Sequence, residues 1–343
     1  MLGRSKKRTT VFYGGDMEPT SRWREVAGIV LALTVLISAV LTAFAWPAAR
    51  SSVHDVPIAV AGPAPVADRV EQTLDQRQPG AFAVTRVPDT AAAEAAVEAR
   101  EVYGAIDVSG GSPTVLVATA GSPVVAQLLQ SVAAASAGAP AAPVRDLAPL
   151  PAADPRGGGL AAASLPLVLG GILAAVLITN RLRGASRRLT AALAYSVTGG
   201  LAMAAILQFW LGSLEGSYWA NAGAIALAVG ATAMTIIGLE ALLGTVGFGI
   251  GAVLMMLVGN PFSGAQSAPE MLPGWSGELG RYLPPGAAGW LLRSTAFFGG
   301  EGIARPLAVL FAWLAVGILL VVVGSSRSRG RTAAESREPA LVS

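Results

Sequence analysis

Long apolar segments separated by shorter polar ones dominate the chain. A helix needs about 20 mostly apolar residues to cross the hydrocarbon core of a membrane. Six segments meet this condition and predict six transmembrane helices, at residues 26–46, 160–179, 189–211, 218–238, 241–259 and 306–324. Only Glu240 marks the boundary between the fourth and fifth segments, which predicts a tight hairpin. None of the six contains Asp, Glu, Lys, Arg or His.

Residues 47–159, between the first and second segments, predict a small α/β domain. Alternating apolar and polar positions indicate strands, and Asp89 and Ser122 are suited to begin helices. The predicted strands lie at residues 56–61, 81–87, 102–108 and 114–119, and the predicted helices at 66–76, 89–100 and 122–135. An Ala-, Pro- and Gly-rich linker, 137–159, leads to the second segment.

Residues 260–305 precede the last segment and are rich in proline and aromatic residues. Proline interrupts helices, so only a short amphipathic helix at residues 287–298 is predicted here. Because aromatic side chains favour the membrane boundary, we interpret this segment as an interfacial or partly re-entrant loop. The alternative is a plain surface loop whose aromatic residues anchor the last span.

Basic residues next to the apolar segments predict the orientation in the membrane. Arginine and lysine cluster in the arm of residues 1–25, in the loop after the second segment and in the tail of residues 325–343. Such clusters favour the cytoplasmic side, so we expect both termini in the cytoplasm of a multi-pass plasma-membrane protein. The small residues of 43–45 could instead mark a cleaved signal peptide. The long apolar run before them favours an uncleaved anchor.

Composition supports a membrane protein and excludes several kinds of site. Apolar residues make up 53% and charged residues 13%, and the mean hydropathy is +0.58. Cysteine is absent and His54 is the only histidine, which excludes disulfides, thiolate metal sites and multi-histidine sites. No Walker A, Gly-x-Ser-x-Gly or His-Glu-x-x-His motif occurs. We expect no enzymatic activity, cofactor or metal in this chain, and no nucleic-acid partner despite the net charge of +3.

Two local patterns admit both a structural and a functional interpretation. The loop arginines Arg181, Arg183, Arg187 and Arg188 are explained by membrane topology alone, or by docking to a cytoplasmic partner. Gly247 and Gly251 form a GxxxG motif, which lets helices approach closely. The close approach could lie within the bundle or at a dimer seam.

Residues 146–170, DLAPLPAADPRGGGLAAASLPLVLG, and 259–299, GNPFSGAQSAPEMLP to LPPGAAGWLLRSTAFFG, resemble the ABC-2 type transporter permeases. The likeness is to the actinobacterial permease group related to phage-infection-protein-like membrane proteins, and residues 56–60 and 102–106 share it. It implies an α-helical polytopic membrane protein with six transmembrane helices and a small extracytoplasmic α/β domain inserted between helices 1 and 2.

The resemblance also implies an exporter subunit that works as a homodimer or heterodimer in membrane lipid, driven by a separate ATP-binding subunit. Its cargo would be an amphiphilic compound, a drug or a cell-envelope component. By position, residues 17–25 and the loop arginines would contact the ATPase. The outer gate would include Pro284, Pro285, Trp290 and Arg293.

Two other functions stay open from the sequence. The chain could be a membrane scaffold, receptor or secretion-accessory protein that works through its outer domain. A proton-coupled antiporter is disfavoured, because such transporters carry ionisable residues within the membrane and the six segments contain none.

Overall fold

A computed structural model describes residues 22–136, 142–265 and 267–335. Most of the predicted arm, including Met17, lies outside these residues, as does Arg337 of the tail. The chain divides into two compact units, Met1–Thr42 and Ala43–Ser343. The described part of the first unit is mainly the beginning of helix α1, Trp23–Arg50, whose last residues belong to the second.

The described residues form five helices that are long and apolar enough to cross a membrane. They span Trp23–Arg50, Gly158–Arg181, Ala185–Trp210, Tyr218–Leu243 and Ala304–Arg327. Five of the six predicted segments coincide with these helices, although the third extends one residue beyond its helix, and this architecture is consistent with a helical membrane protein.

The segment predicted to be the fifth span differs from the other five. Helix α7, Tyr218–Leu243, continues beyond the predicted end at residue 238 and takes up residues 241–243. Gly244, with a φ of +67°, then reverses the chain, because glycine adopts this left-handed backbone without steric cost. What remains is α8, Thr245–Val253, followed by a π-helical segment, Leu254–Gly259. At 1.5 Å per residue this piece is about 22 Å long, shorter than the roughly 30 Å of hydrocarbon.

The α/β domain contains a five-stranded sheet of order β2-β1-β3-β4-β5. Its strands are β1 Val56–Ala61, β2 Phe82–Val87, β3 Gly104–Asp107, β4 Thr114–Val117 and β5 Val144–Asp146. All neighbouring pairs are parallel except β3 and β4. The four predicted strands are present. The fifth, β5, lies in the stretch predicted to be a linker.

Three helices cover the two faces of this sheet: α2 Ala64–Arg77, α3 Thr90–Glu98 and α4 Pro123–Ser136. Ile58 packs with α2 and α4, whereas Ala59 packs with α3, because successive strand residues point to opposite faces. Asp89 begins α3 as predicted, and its carboxylate accepts a hydrogen bond of 2.8 Å from the Ala92 backbone N–H.

Helix α7 forms the centre of the helical bundle. It packs against α5 Gly158–Arg181, α6 Ala185–Ala205 with its π-helical extension Ile206–Trp210, α8, and α11 Ala304–Glu335. Most residues of α7 are buried, on all sides of the helix, which explains why it lacks the amphipathic pattern of a surface helix. The middle of the bundle is therefore occupied by a helix.

The segment between α8 and α11 is folded against the rest of the unit. It contains two short 3₁₀ turns, Pro261–Ser263 and Pro269–Met271, and helices α9 Ser276–Arg281 and α10 Pro284–Phe297. Helix α10 begins three residues earlier than predicted. Proline fits the first turn of a helix, where its missing N–H is not needed.

Candidate functional site

A cavity of about 280 Å³ lies between the α/β domain and the segment that contains α9 and α10. Its charged lining consists of Arg100, Glu101, Glu270, Arg281, Arg293 and Arg305. Tyr103 and Trp290 contribute aromatic surface, and Pro306, at the start of α11, completes one side. Four arginines therefore share a small space with two glutamates.

Arg100 reaches into this cavity from the end of α3. Its φ of +62° is uncommon for a residue other than glycine and is stabilised by surrounding contacts. The guanidinium carbon lies 3.8 Å from the ring centre of Trp290 and 4.8 Å from that of Phe298. Nη1 donates to the Trp290 carbonyl oxygen at 2.8 Å and to Ser294 Oγ at 2.6 Å. These contacts join the α/β domain to α10.

A second set of contacts joins the same two parts through Glu270. The Tyr103 hydroxyl donates to Glu270 Oε2 at 2.9 Å, and Arg281 forms an ion pair with the same carboxylate. Glu278 is shared between Arg281, at 3.2 Å, and Arg305, at 2.6 Å. Glu270 is therefore paired with Arg281, and Glu278 is paired with both Arg281 and Arg305.

Arg100 and Arg293 have no carboxylate partner among the described residues. Arg293 Nη2 donates to the Ala265 carbonyl oxygen at 2.7 Å, which fixes the side chain without neutralising it. Arg281 Nε is also buried without an acceptor, although its other nitrogens form ion pairs. The cavity therefore contains positive charge and hydrogen-bond donors in excess of what its own acceptors satisfy.

Burial governs the ionisation of these groups. It lowers the pKa of Arg100 to about 9, opposed by the Tyr103 oxygen and reinforced by the positive charge of Arg293. Burial likewise lowers the pKa of Arg293. Burial and the neighbouring Glu270 carboxylate raise the pKa of Tyr103. The arginine side chains of this lining suit the binding of an anion.

The residues predicted to form an outer gate all lie on α10. Pro284 and Pro285 are buried at its first turn, where Pro285 packs against Gly259. Trp290 and Arg293 line the cavity. Sequence reasoning missed the other charged residues of the cavity, because the partners of Arg100 are 190 residues or more away and no local pattern links them.

Comparison of the chain with protein-family models, curated proteins and solved structures found no match. The likeness of residues 146–170 and 259–299 to ABC-2 permeases therefore stays an expectation from the sequence. Function has to be inferred from the contacts of the residues themselves.

The four arginines predicted to lie in a loop are spread over the junction of two helices: Arg181 ends α5, Arg183 lies in the connection, and Arg187 and Arg188 lie in the first turn of α6. Residues 181–188 are called the α5–α6 loop below, and their arginines have two distinct environments. Arg181, Arg183 and Arg187 are exposed, and their side chains form no ion pair or hydrogen bond with the described residues. Arg188 is half-buried. It donates to the carbonyl oxygens of Thr179 and Leu182 at 3.0 Å each and to Glu240 Oε2 at 2.7 Å. Arg188 thus fastens the loop to the end of α7.

Replacing Arg188 by glutamine is expected to destabilise the protein by about 1–3 kcal/mol, the usual value for losing hydrogen bonds to a charged group. The change leaves the carbonyl groups of Thr179 and Leu182 and the Glu240 carboxylate without their donor. Thermal unfolding in detergent would measure the loss. Arg187→Gln is the matched control, since Arg187 is exposed, and equal melting temperatures for the two variants would refute the role of Arg188.

Gly247 and Gly251 of the GxxxG motif both face α7. A Cβ at Gly247 would overlap the Leu239 carbonyl group, and one at Gly251 would lie 3.0 Å from Ile236 Cγ1. In the described residues, the close approach made by this motif is therefore between α8 and α7 of the same chain.

The junction between α9 and α11 is expected to weaken in acid. Burial alone would raise the pKa of Glu278. The hydrogen bond and positive charge of Arg305, together with the charge of Arg281, outweigh this effect, so the pKa of Glu278 lies below its ordinary value of 4.5. A carboxyl group with a depressed pKa stabilises the folded state above its unfolded-state pKa, and the stabilisation disappears as the pH falls through the folded-state pKa. The melting temperature of the wild type should therefore fall more steeply than that of Glu278→Gln when the pH is lowered from about 6 to about 3.5. Parallel curves would contradict the pairing.

Proposed function

We propose that this chain is the membrane subunit of an ABC-2 type exporter that moves an amphiphilic compound, a drug or a cell-envelope component. A separate ATPase subunit would supply the energy, since no Walker A motif is present. The observation that carries the proposal is a loop with three unpaired arginines, Arg181, Arg183 and Arg187, fixed to the bundle through Arg188.

A docking site for another protein requires charged groups that are free and a backbone that is held in place. The three exposed arginines meet the first requirement, and the contacts of Arg188 meet the second. Little ordering entropy is lost when a partner binds a loop that is already fixed. By the resemblance to ABC-2 permeases, the proposed partner is an ATP-binding subunit.

We further infer a six-helix topology with the α/β domain outside and both termini in the cytoplasm, and contacts at the two ends of the bundle support one of its crossings. Glu240 at the end of α7 contacts the α5–α6 loop, and Gly324 of α11 lies against Ala241 at the same end. Gly259, at the end of the π-helical segment, contacts Pro285 of α10 beside the cavity. The short helical piece from Thr245 to Gly259 therefore connects the two ends of the bundle, which supports a sixth crossing.

The buried position of α7 supports a dimer. Because a helix fills the middle of the bundle, a transport path fits better between two permease chains than through one. Apolar side chains such as Leu173, Leu177, Phe311 and Leu319 are exposed on α5 and α11, where lipid or a second permease chain would cover them.

Copurification tests the proposal directly. The tagged full-length chain would be extracted in mild detergent from its native host, and the proteins retained with it identified and quantified. We expect one ATP-binding subunit in a fixed ratio to this chain. Absence of any ATPase, with an envelope or secretion protein in its place, would contradict the exporter.

The arginine-lined cavity favours one second function, a membrane receptor or scaffold that works through its outer domain. A receptor needs a ligand site next to its outer domain, and Arg100 and Tyr103 of that domain line the cavity. A receptor would retain its ligand without any ATPase, which separates it from the exporter in the copurification experiment.

A further inference from the structure

We propose that the cavity lined by Arg100, Arg281 and Arg293 binds a phosphate group, carried either by an anionic phospholipid head group or by a soluble phosphate ester. This site goes beyond the proposed transport function and does not depend on it. A receptor or scaffold could use the same cavity.

The charge balance of the cavity favours an anion. Glu270 and Glu278 are occupied by Arg281 and Arg305, while Arg100 and Arg293 have no carboxylate partner among the described residues. Glu101 also lines the cavity but is exposed, so water screens its charge. Burying a charge without a partner is costly, and a bound anion removes that cost.

The unused donors suit a ligand with several acceptor oxygens. Both hydrogen bonds of Arg100 use Nη1, and that of Arg293 uses Nη2, so each guanidinium retains other N–H groups without partners among the described residues. A phosphate group can accept from several guanidinium groups at once, whereas a single carboxylate has fewer oxygens and less charge.

The size and position of the cavity limit what the phosphate is attached to. A volume of about 280 Å³ is near the lower end for small-molecule sites, and it accommodates a phosphate with a glycerol-sized group but no acyl chains. Pro306 belongs to both the cavity lining and the first turns of the apolar helix α11. The end of an apolar membrane-crossing helix is the level at which phospholipid head groups lie.

Thermal unfolding of the full-length protein would test the site in two arms. In phosphate-free detergent, inorganic phosphate and glycerol phosphate are titrated at constant ionic strength, with chloride as the control anion. In nanodiscs, phosphatidylglycerol is compared with phosphatidylcholine. We expect a saturable rise in melting temperature in at least one arm. A response in the first arm identifies a soluble phosphate ester, and a response to phosphatidylglycerol alone identifies a lipid.

Variants of the cavity arginines show whether the rise in melting temperature comes from binding at this site. Arg100→Gln combined with Arg293→Gln should weaken the response by about tenfold or more, because each change removes a charge-assisted contact. Arg293→Lys should retain part of it. Arg86→Gln, which breaks an exposed ion pair on the α/β domain, is the control and should leave the response unchanged.

Three results would overturn the proposal: no saturable response in either arm of the wild type, an equal response to both lipids with none to soluble phosphate, or an unchanged response in the double glutamine variant. If the double variant does not fold, the single variants Arg293→Gln and Arg293→Lys replace it. Equal binding by those two would then count against the site.

Discussion

Replacing Gly317 by leucine is expected to prevent α11 from packing against α7, and this is the largest effect on stability that we predict. A Cβ at Gly317 would lie 2.5 Å from the backbone carbon of Met234, and one at Gly238 would lie 2.6 Å from the Gly317 oxygen. The two backbones are therefore in direct contact. A leucine would force them apart, at a cost of about 3 kcal/mol or more.

Gly249→Leu provides the matched control, since no atom lies within 4 Å of a Cβ built at Gly249. Size-exclusion chromatography of detergent extracts, before and after heating, would measure the folded fraction of both variants. We expect Gly249→Leu to elute as the wild type does and Gly317→Leu to aggregate. An equal folded fraction of the two variants would contradict the close contact between the backbones of α7 and α11.

Reversing Arg181, Arg183 and Arg187 to glutamate is expected to remove the proposed ATP-binding subunit from the purified protein, with a loss of about tenfold or more in the retained amount. These three arginines are exposed and unpaired in the described structure, so their loss should not disturb the fold. The ratio of the ATP-binding subunit to this chain, measured by quantitative mass spectrometry, would report the effect.

Two controls make this experiment specific. Reversal of Arg69, Arg77 and Arg156, which are exposed on α2 and just before α5, changes the net charge equally and should leave the partner bound. Replacing the three loop arginines by lysine preserves the positive charge that orients the protein. If the variant with Arg69, Arg77 and Arg156 reversed also loses the partner, net charge controls binding and the loop does not.

The sequence predicts the membrane helices well because a long apolar run has few other structural solutions. It misplaces the boundary between α7 and α8, because both sides of Gly244 are apolar and only the backbone conformation of this residue marks the turn. The strand β5 was missed for a similar reason. Its three residues, Val144–Asp146, are too few to show an alternating pattern.

The candidate site could be predicted only in part. Trp290 and Arg293 were singled out through the resemblance of their segment to a family, but Arg100 was not, because its role depends on contacts with residues 290–298, far away in the sequence. In the same way, Arg188 does not differ from its neighbours in the sequence. Its contacts with Thr179, Leu182 and Glu240, the last 52 residues away, separate it from the exposed arginines of the loop.

The proposed exporter depends on one central claim, that the α/β domain and the α5–α6 loop lie on opposite sides of the membrane with the loop in the cytoplasm. The absence of cysteine allows a direct test with two single-cysteine variants, Ser112→Cys in the domain and Ser186→Cys in the loop, both at exposed positions. A membrane-impermeant maleimide would be applied to intact and to lysed spheroplasts. We predict that Ser112→Cys is labelled in intact spheroplasts and Ser186→Cys only after lysis. Labelling of Ser186→Cys in intact spheroplasts, or protection of Ser112→Cys, would contradict the account.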